Sequence, residues 1–547
     1  MYRIGIDFDN TIACYDRVFP FAARELNLLE GTPVSSKTVV KKTLLSSVGG
    51  DLDWQRLQGK VYGKYMHLAE IYPGFFEFLY LSKLRGCSIV IVSHKSEFGH
   101  FDEEQISLRE QALSWMIANR FFENEDFSLS EGGVFFESSR EEKIRRIISL
   151  DCTHFIDDLF EIFDDPLFPG NVQKIWFQPN LNEIRETSLK KTSTWREICS
   201  QVYGSWSEEE ICSAAQSLFP DLGIVKAQIQ KGRGNSRIYK LYSAEIYYAL
   251  KIYPDRQLDP RPRLKTEFSA CRFLHGRGYQ VTQAVAYNES LDWGVYEWIP
   301  GSPIERQDEF FLNQSAAFIT CLLKESILLT DDNQFQFASE ACLSGAEIVR
   351  QINKRFQRLM NVKSDDLVKF LKNEFQPCVT AVIEQVKQEC GSLFDQELSR
   401  ELQILSPSDF GSHNAIRNED GRVTFIDFEY FGWDDPVKLT ADFFWHPGMN
   451  LSNNLRLQWI NRACEIFSAD SLFYQRLKAY LPLYGLRWCL ILLNEFIPPA
   501  QARRVSANAN NLTAAVVKRQ QLSKAIKMLK EVRSVYEQNI CFKGNKL

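Results

Sequence analysis

No hydrophobic run in this chain is long enough to cross a bilayer, and no two cysteines stand in CxxC spacing. The most apolar late stretch, LPLYGLRWCLILLNEF (481–496), carries Arg487, Asn494 and Glu495. It falls short of the roughly 20 residues a span requires, so it predicts a buried helix. Thirteen scattered cysteines give neither a zinc site nor a disulfide framework, and reduced thiols in a cytoplasm are expected. Excess positive charge is also missing: 64 Lys and Arg against 70 Asp and Glu leave a net charge of −6. That balance argues against nucleic-acid binding through overall charge. The chain has no internal repeat and no low-complexity segment, and its first residues run straight into a strand-like run, so no leader is expected. A small-molecule substrate is expected, with no nucleic acid and no membrane.

What is present is enough for more than one core. At 547 residues two domains are expected, and 45% apolar with 24% charged residues is ordinary for a globular protein. The first half alternates. YRIGIDF (2–8), SIVIVS (88–93), THFIDD (153–158) and QKIWFQP (173–179) read as strands. GFFEFLYLSKLRG (74–86) and REEKIRRIISL (140–150) have helical spacing. This order predicts an α/β domain with a doubly wound parallel sheet, whose ligands bind at the carboxyl ends of the strands. Asp7, Ser93 and Asp157 fall at such ends.

The stretch Asp7-Phe8-Asp9-Asn10-Thr11 places two carboxylates just beyond a strand. Phosphoryl transfer through an aspartate requires that carboxylate, a proton donor for the leaving group, a magnesium ion and donors that neutralise phosphate. Asp157 and Asp158 add hard oxygen ligands, and Ser93 and Lys143 are suitable phosphate donors. In order and in kind, DFDNT, Ser93 after IVIV, Lys143 and IDD resemble the four motifs of the haloacid dehalogenase superfamily of phosphatases. The resemblance covers about residues 1–200. It implies Asp7 as nucleophile, Asp9 as general acid and base, Thr11 supporting the loop, and Ser93 and Lys143 on the phosphate. It implies Mg2+ held by Asp7, the main-chain oxygen of Asp9, and Asp157 or Asp158. The insertion at about 13–72 is expected to form a small helical cap that excludes water. Lys37, Lys41 and Lys42 within it read as a lysine-rich surface turn.

The second half begins at about residue 206, after a helical rather than a Pro/Gly-rich junction, and runs to 547. QIQKGRGNSRIYKLYSAEIYYALKIY (228–253) reads as hairpins around Gly232 and Gly234, and from about residue 305 the pattern is mostly helical. Lys251 lies in a strand, with Glu267 on a helix sixteen positions later. SPSDFGSHNAI holds Asp409 and Asn414, five apart, and Asp427 follows Asp409 by eighteen. A strand lysine with a carboxylate partner can fix the α- and β-phosphates of ATP. Asp409 is placed to orient or deprotonate a hydroxyl, and Asn414 and Asp427 offer oxygens to magnesium. This set resembles the aminoglycoside and choline phosphotransferase group of the kinase-like fold over about residues 210–500. The resemblance implies an α+β two-lobed domain, with Gly232 and Gly234 approaching the phosphates and VYEWIPG (295–301), including Glu297, as the adenine-binding hinge. Pro407 stands where that group usually has His, two residues before the catalytic aspartate. His413 reads as a structural hydrogen-bonding residue.

The expectation is therefore a bifunctional enzyme using ATP and Mg2+. One half hydrolyses a phosphomonoester, and the other phosphorylates a sugar or polyol hydroxyl, as in the making of surface polysaccharide precursors. A regulatory kinase/phosphatase acting on a protein, or a nucleotide-binding scaffold, are the alternatives. The short interval from Asp427 to DDP (434–436) has no activation-loop segment, which favours small molecules.

Overall fold

The computed structural model describes residues 2–29, 36–122, 127, 129–179, 189–230, 236–329, 334–497 and 514–538. The chain is a mixed α/β protein with a parallel sheet and many helices. It divides into two compact units, Met1–Glu210 with Asp255–Pro260, and Ile211–Pro254 with Arg261–Leu547. Among the described residues no helix is long and apolar enough to cross a membrane; the 481–496 stretch lies largely in the buried helix Phe473–Leu492.

The first unit is built on six strands: β1 (Arg3–Ile6), β2 (Ser88–His94), β3 (Val134–Glu137), β4 (His154–Asp157), β5 (Gln173–Phe177) and β6 (Lys191–Thr192). They lie in the order β3-β2-β1-β4-β5-β6, and every neighbouring pair is parallel. The continuous apolar runs IGI and IVIV fit a sheet covered on both faces, and Ile4, Ile6, Ile91 and Val92 are fully buried. Strand β3 escaped the sequence reading because VFFE is only half-buried and lacks that continuous apolar signature. Sequence order reverses at β1, which has β2 on one side and β4 on the other. Asp7, one residue past β1, is tied to the second neighbour by its N–H donating to Ile156 O (2.9 Å).

Between the Asp7 loop and the helix Phe75–Leu84, the chain leaves and re-enters through a short antiparallel ladder, Ala13–Cys14 with Glu70–Ile71. Inside it lie the helices Val18–Glu25, Lys37–Leu45 and Gly50–Tyr62. They are joined by aromatic contacts: Phe19 stacks on Trp54 at 4.9 Å, and Tyr62 meets Tyr15 edge-on at 4.9 Å.

The second unit opens with five antiparallel strands, β7 (Lys226–Gln230), β8 (Arg237–Tyr242), β9 (Tyr247–Ile252), β10 (Ala284–Asn288) and β11 (Trp293–Glu297), in the order β10-β11-β9-β8-β7. The helix Arg263–His275 connects β9 to β10. The rest of the unit is mostly helical. Two small antiparallel ladders within it carry the loops of interest: Ala415–Arg417 with Val423–Phe425, and Ile404–Ser406 with Gly432–Asp434. One large core, running through Phe318, Phe410, Phe425, Phe443 and Trp459, lies under both ladders.

Candidate active sites

At the end of β1 the sequence alternates acid, phenylalanine, acid. Phe8 is fully buried and meets Trp115 edge-on at 5.6 Å, which anchors the turn. The buried Lys143, from the helix Arg140–Ser149, donates to Asp7 Oδ1 and to Asp157 Oδ2, both at 2.6 Å. Ser93, at the end of β2, donates to Asp7 Oδ1 at 2.9 Å. Asp157 also accepts from the Leu159 N–H (2.8 Å). Asp7, Ser93, Lys143 and Asp157, spread over 150 positions of sequence, therefore meet at one point.

Electrostatically the point is short of positive charge. One oxygen from each of Asp7, Asp157 and Asp158 lies within 4.8 Å of the others. Burial pushes Asp157 up to about 6 against the pull of Lys143, and Asp7 adds to the rise. Burial, with Asp157 and Asp7 nearby, lifts Asp158 well above the usual carboxylate range. Burial opposes the charge on Lys143, but Asp157 and Asp7 outweigh it and the ammonium is firmly retained. A crowded set of hard oxygens with raised proton affinity suits a small divalent cation, so the donor set fits magnesium.

Asp9 faces elsewhere. Its carboxylate accepts from Lys95 Nζ (2.7 and 3.0 Å) and from the Tyr15 hydroxyl (2.5 Å). Lys95 is 3% exposed and lies over the rings of Phe8 and Tyr62. Sequence reasoning missed both partners, although Lys95 lies only two residues beyond Ser93 on the same strand end. Thr11 is fully buried, and its hydroxyl has no partner among the described residues. One expectation requires correction. Lys37 opens a helix rather than a surface turn, and its Nζ donates to Asn10 Oδ1 at 2.6 Å beside the Asp9 loop.

The second unit repeats the alternation as Asp427-Phe428-Glu429. Phe428 is buried, and Asp427 adopts a left-handed backbone conformation (φ 67°), a rare region for a residue with a side chain. Lys251, in β9, donates to Glu267 Oε2 and Asp427 Oδ1, both at 2.6 Å, and pairs with Glu429 Oε2 at 3.1 Å. Tyr253 also donates to Glu267 Oε2 (2.6 Å), and Arg263 pairs with Glu429. Desolvation, with Glu429 and Glu267 nearby, pushes Asp427 up to about 7 against the pull of Lys251. Burial opposes the charge on Lys251, yet Asp427, Glu267 and Glu429 together raise it well above the ordinary lysine value. Glu429 and Arg263 were missed. Their signal was the acid two positions after Asp427, the same spacing as Asp7 and Asp9.

Asp409 follows Ser408, whose φ of 65° is again left-handed. Although desolvation opposes it, the hydrogen bond from His413, with His446 and Asn414, holds the Asp409 carboxyl below the usual range. Asn414 Nδ2 donates to Asp409 O at 2.9 Å, and Asn414 O accepts from the Ile426 N–H at 3.0 Å, which joins the two loops. Asp427, with its raised proton affinity, and the amide oxygen of Asn414, which has no partner among the described residues, are hard oxygen donors that fit magnesium. Gly232 and Gly234 lie outside the described residues. The Glu297 N–H donates to Gln283 O (2.9 Å) and its carbonyl accepts from Thr282 Oγ1 (3.0 Å). Its N–H is thus paired within the unit, while its carbonyl oxygen can accept a second hydrogen bond.

No protein-family model matches the chain, and no curated protein matches it. Among solved structures it is similar to a choline kinase from Streptococcus pneumoniae (13% identity, 59% of this chain, 98% of that chain, TM-score 0.39). It is also similar to an ethanolamine kinase from Plasmodium vivax (11%, 62%, 95%, TM-score 0.40) and to a spectinomycin phosphotransferase (12%, 60%, 99%, TM-score 0.40). Similarity at this level does not establish membership of a family.

Proposed function

We propose that the chain is a bifunctional enzyme, a phosphomonoester hydrolase of the haloacid dehalogenase type joined to an ATP-dependent kinase-like phosphotransferase for small-molecule hydroxyls. The observation that carries this reading is that each unit gathers distant acids around one buried lysine: Lys143 between Asp7 and Asp157, and Lys251 between Glu267 and Asp427.

In the first unit, the parallel order β3-β2-β1-β4-β5-β6 is that of a doubly wound sheet, and its switch point lies at β1, where such sheets bind ligands. There Asp7 attacks phosphorus, with its charge oriented by Ser93 and Lys143. The P–O bond to the leaving group breaks as Asp9 gives that oxygen its proton, and Asp9 then takes a proton from the water that cleaves the aspartyl phosphate on Asp7 and releases phosphate. Asp7, Asp157 and Asp158 would hold the metal, which when bound neutralises the phosphate oxygens. The helical insertion at about 13–72 serves as the cap that keeps water out.

In the second unit, Lys251, fixed by Glu267, holds the α- and β-phosphates of ATP, and Asp409 orients the acceptor hydroxyl. Asn414 and Asp427 would hold the nucleotide's magnesium. Only Phe428–Phe431 separate Asp427 from the Gly432–Asp434 strand, an interval too short for an activation-loop segment, which supports a small acceptor. Two opposed activities at one position of one molecule would merely hydrolyse ATP, so the two sites act at different positions or on successive intermediates, such as sugar or polyol phosphates. Phosphate release from a panel of phosphomonoesters and ADP release from MgATP test the reading. Full-length wild type is expected to do both, and absence of either activity across the panel removes the corresponding half of the proposal.

A further inference from the structure

Pro407 removes the imidazole that the phosphotransferase resemblance leads one to expect behind Asp409, and two other imidazoles stand at the same carboxylate. His413 Nε2 lies 3.0 Å from Asp409 Oδ1 and His446 Nε2 lies 3.5 Å from the same oxygen. The two rings are stacked, with centroids 3.8 Å apart and planes 10° from parallel. They come from different places: His413 from the loop four residues after Asp409, and His446 from the residue after the helix Pro436–Trp445.

The tautomers follow from the surroundings. The Gly448 N–H donates to His446 Nδ1 at 3.1 Å, so that nitrogen carries the lone pair and Nε2 carries the hydrogen. A carboxylate can only accept, so His413 Nε2 also carries its hydrogen towards Asp409. His413 Nδ1 is buried and has no partner among the described residues. Both rings are seated against glycine. A Cβ at Gly411 would stand 2.8 Å from His413 Cε1 and 2.6 Å from Met449 Sδ, and one at Gly448 would stand 3.1 Å from His446 Cε1. Trp488 meets His446 edge-on at 4.7 Å and is itself fixed by donating to Asp442 Oδ1 (2.8 Å). The opposite oxygen, Asp409 Oδ2, has among the described residues a single long hydrogen bond, 3.4 Å from Asn414 Nδ2.

We propose that His413 and His446 are positioning residues which together hold Asp409 Oδ1 and so turn Oδ2 towards the acceptor hydroxyl, replacing the missing imidazole at 407. This rests on the reading of Asp409 as the group that receives the acceptor. The same three side chains bring ligand atoms within 4.8 Å of one another, as a transition-metal site would. The Gly448 bond argues against that use, because the His446 nitrogen facing Asp409 bears a hydrogen and offers no lone pair.

The test uses the full-length protein, with MgATP as substrate and water as the acceptor. Glutamine carries an N–H near the place of imidazole Nε2, and leucine carries none. His413→Leu and His446→Leu are each expected to lower kcat for ADP release about tenfold, with KM for ATP changed less than twofold. His413→Gln and His446→Gln are expected to recover much of the loss. Wild-type kcat in both leucine variants, alongside an inactive Asp409→Asn, overturns the proposal. An Asp409→Asn variant with unchanged turnover overturns the underlying reading of Asp409 instead. A long-range proton–nitrogen spectrum of wild type with labelled histidine needs neither turnover nor a folded variant. It is expected to show both rings as Nε2–H tautomers, and an Nδ1–H form in either ring contradicts the proposal.

Discussion

IDFDN at residues 6–10 and IDFEY at 426–430 are nearly the same five letters in two unrelated settings. In both, an isoleucine leads out of a packed region, a buried phenylalanine pins the turn, and each flanking acid pairs with a buried lysine. The settings differ in how that lysine is supplied. Lys143 is carried by a helix that packs on the same parallel sheet, and it is shared by two acids with a serine alongside. Lys251 comes from an antiparallel strand 176 residues away from Asp427, and it faces three acids. The first acid pair is also split, since Asp9 has its own cation in Lys95, whereas Asp427 and Glu429 share Lys251. One motif thus serves two ends. Under the proposed function, splitting the acids would leave Asp7 and Asp9 free to take separate chemical roles, while pooling them would fix a cation for a polyphosphate.

The largest effects are expected from removing the shared cation. Lys251→Met strands three carboxylates, with only Arg263 left to balance Glu429. It should abolish ATP turnover and lower stability by about 3–5 kcal/mol, measured as the urea unfolding free energy. Lys143→Met should abolish phosphomonoester hydrolysis but cost less stability than Lys251→Met, because it strands two acids and not three. The reverse ranking in urea would break the comparison. Next comes Lys95→Ala, which frees Asp9 without touching Asp7. Hydrolysis should fall about tenfold, on the order of 1.4 kcal/mol in the barrier, while ATP turnover stays unchanged.

The smallest effect is one of pH. Asp427 is pushed up to about 7, so the folded chain retains a proton that the unfolded chain has released. That contribution to stability is complete below about pH 4 and is lost as pH rises through about 7. Relative to wild type, Asp427→Asn should therefore gain in melting temperature between pH 4 and 8. A constant difference across that range would show that the raised proton affinity is absent.

Much of this was legible in the sequence because it is local. The β1, β2, β4 and β5 strands and the helix bearing Lys143 fall where their apolar spacing places them. Asp7, Ser93, Lys143 and Asp157, and likewise Lys251, Glu267 and Asp427, could be picked out because their order and spacing resemble two known sets of motifs, with Lys143 and Glu267 on helices and the others on or just beyond strands. What could not be read depends on contacts across the chain. Lys95 looked like any lysine after a strand until its 3% exposure beside Asp9 set it apart. The half-buried strand β3 carried no continuous apolar run. His446, 37 positions from Asp409, could be connected to it only through the packing of the helix Pro436–Trp445.

The central claim is that two separate phosphate chemistries share one chain, and phosphorus NMR tests it most directly. Wild type, Asp7→Asn and Asp409→Asn would each be incubated with a small-metabolite extract, ATP and magnesium. The account predicts that Asp409→Asn forms no new phosphoester, while Asp7→Asn still forms one and accumulates a phosphorylated species that wild type clears. If either single substitution removes both the new ester and the hydrolysis of added phosphomonoesters, the two sites are not separate and the account is wrong.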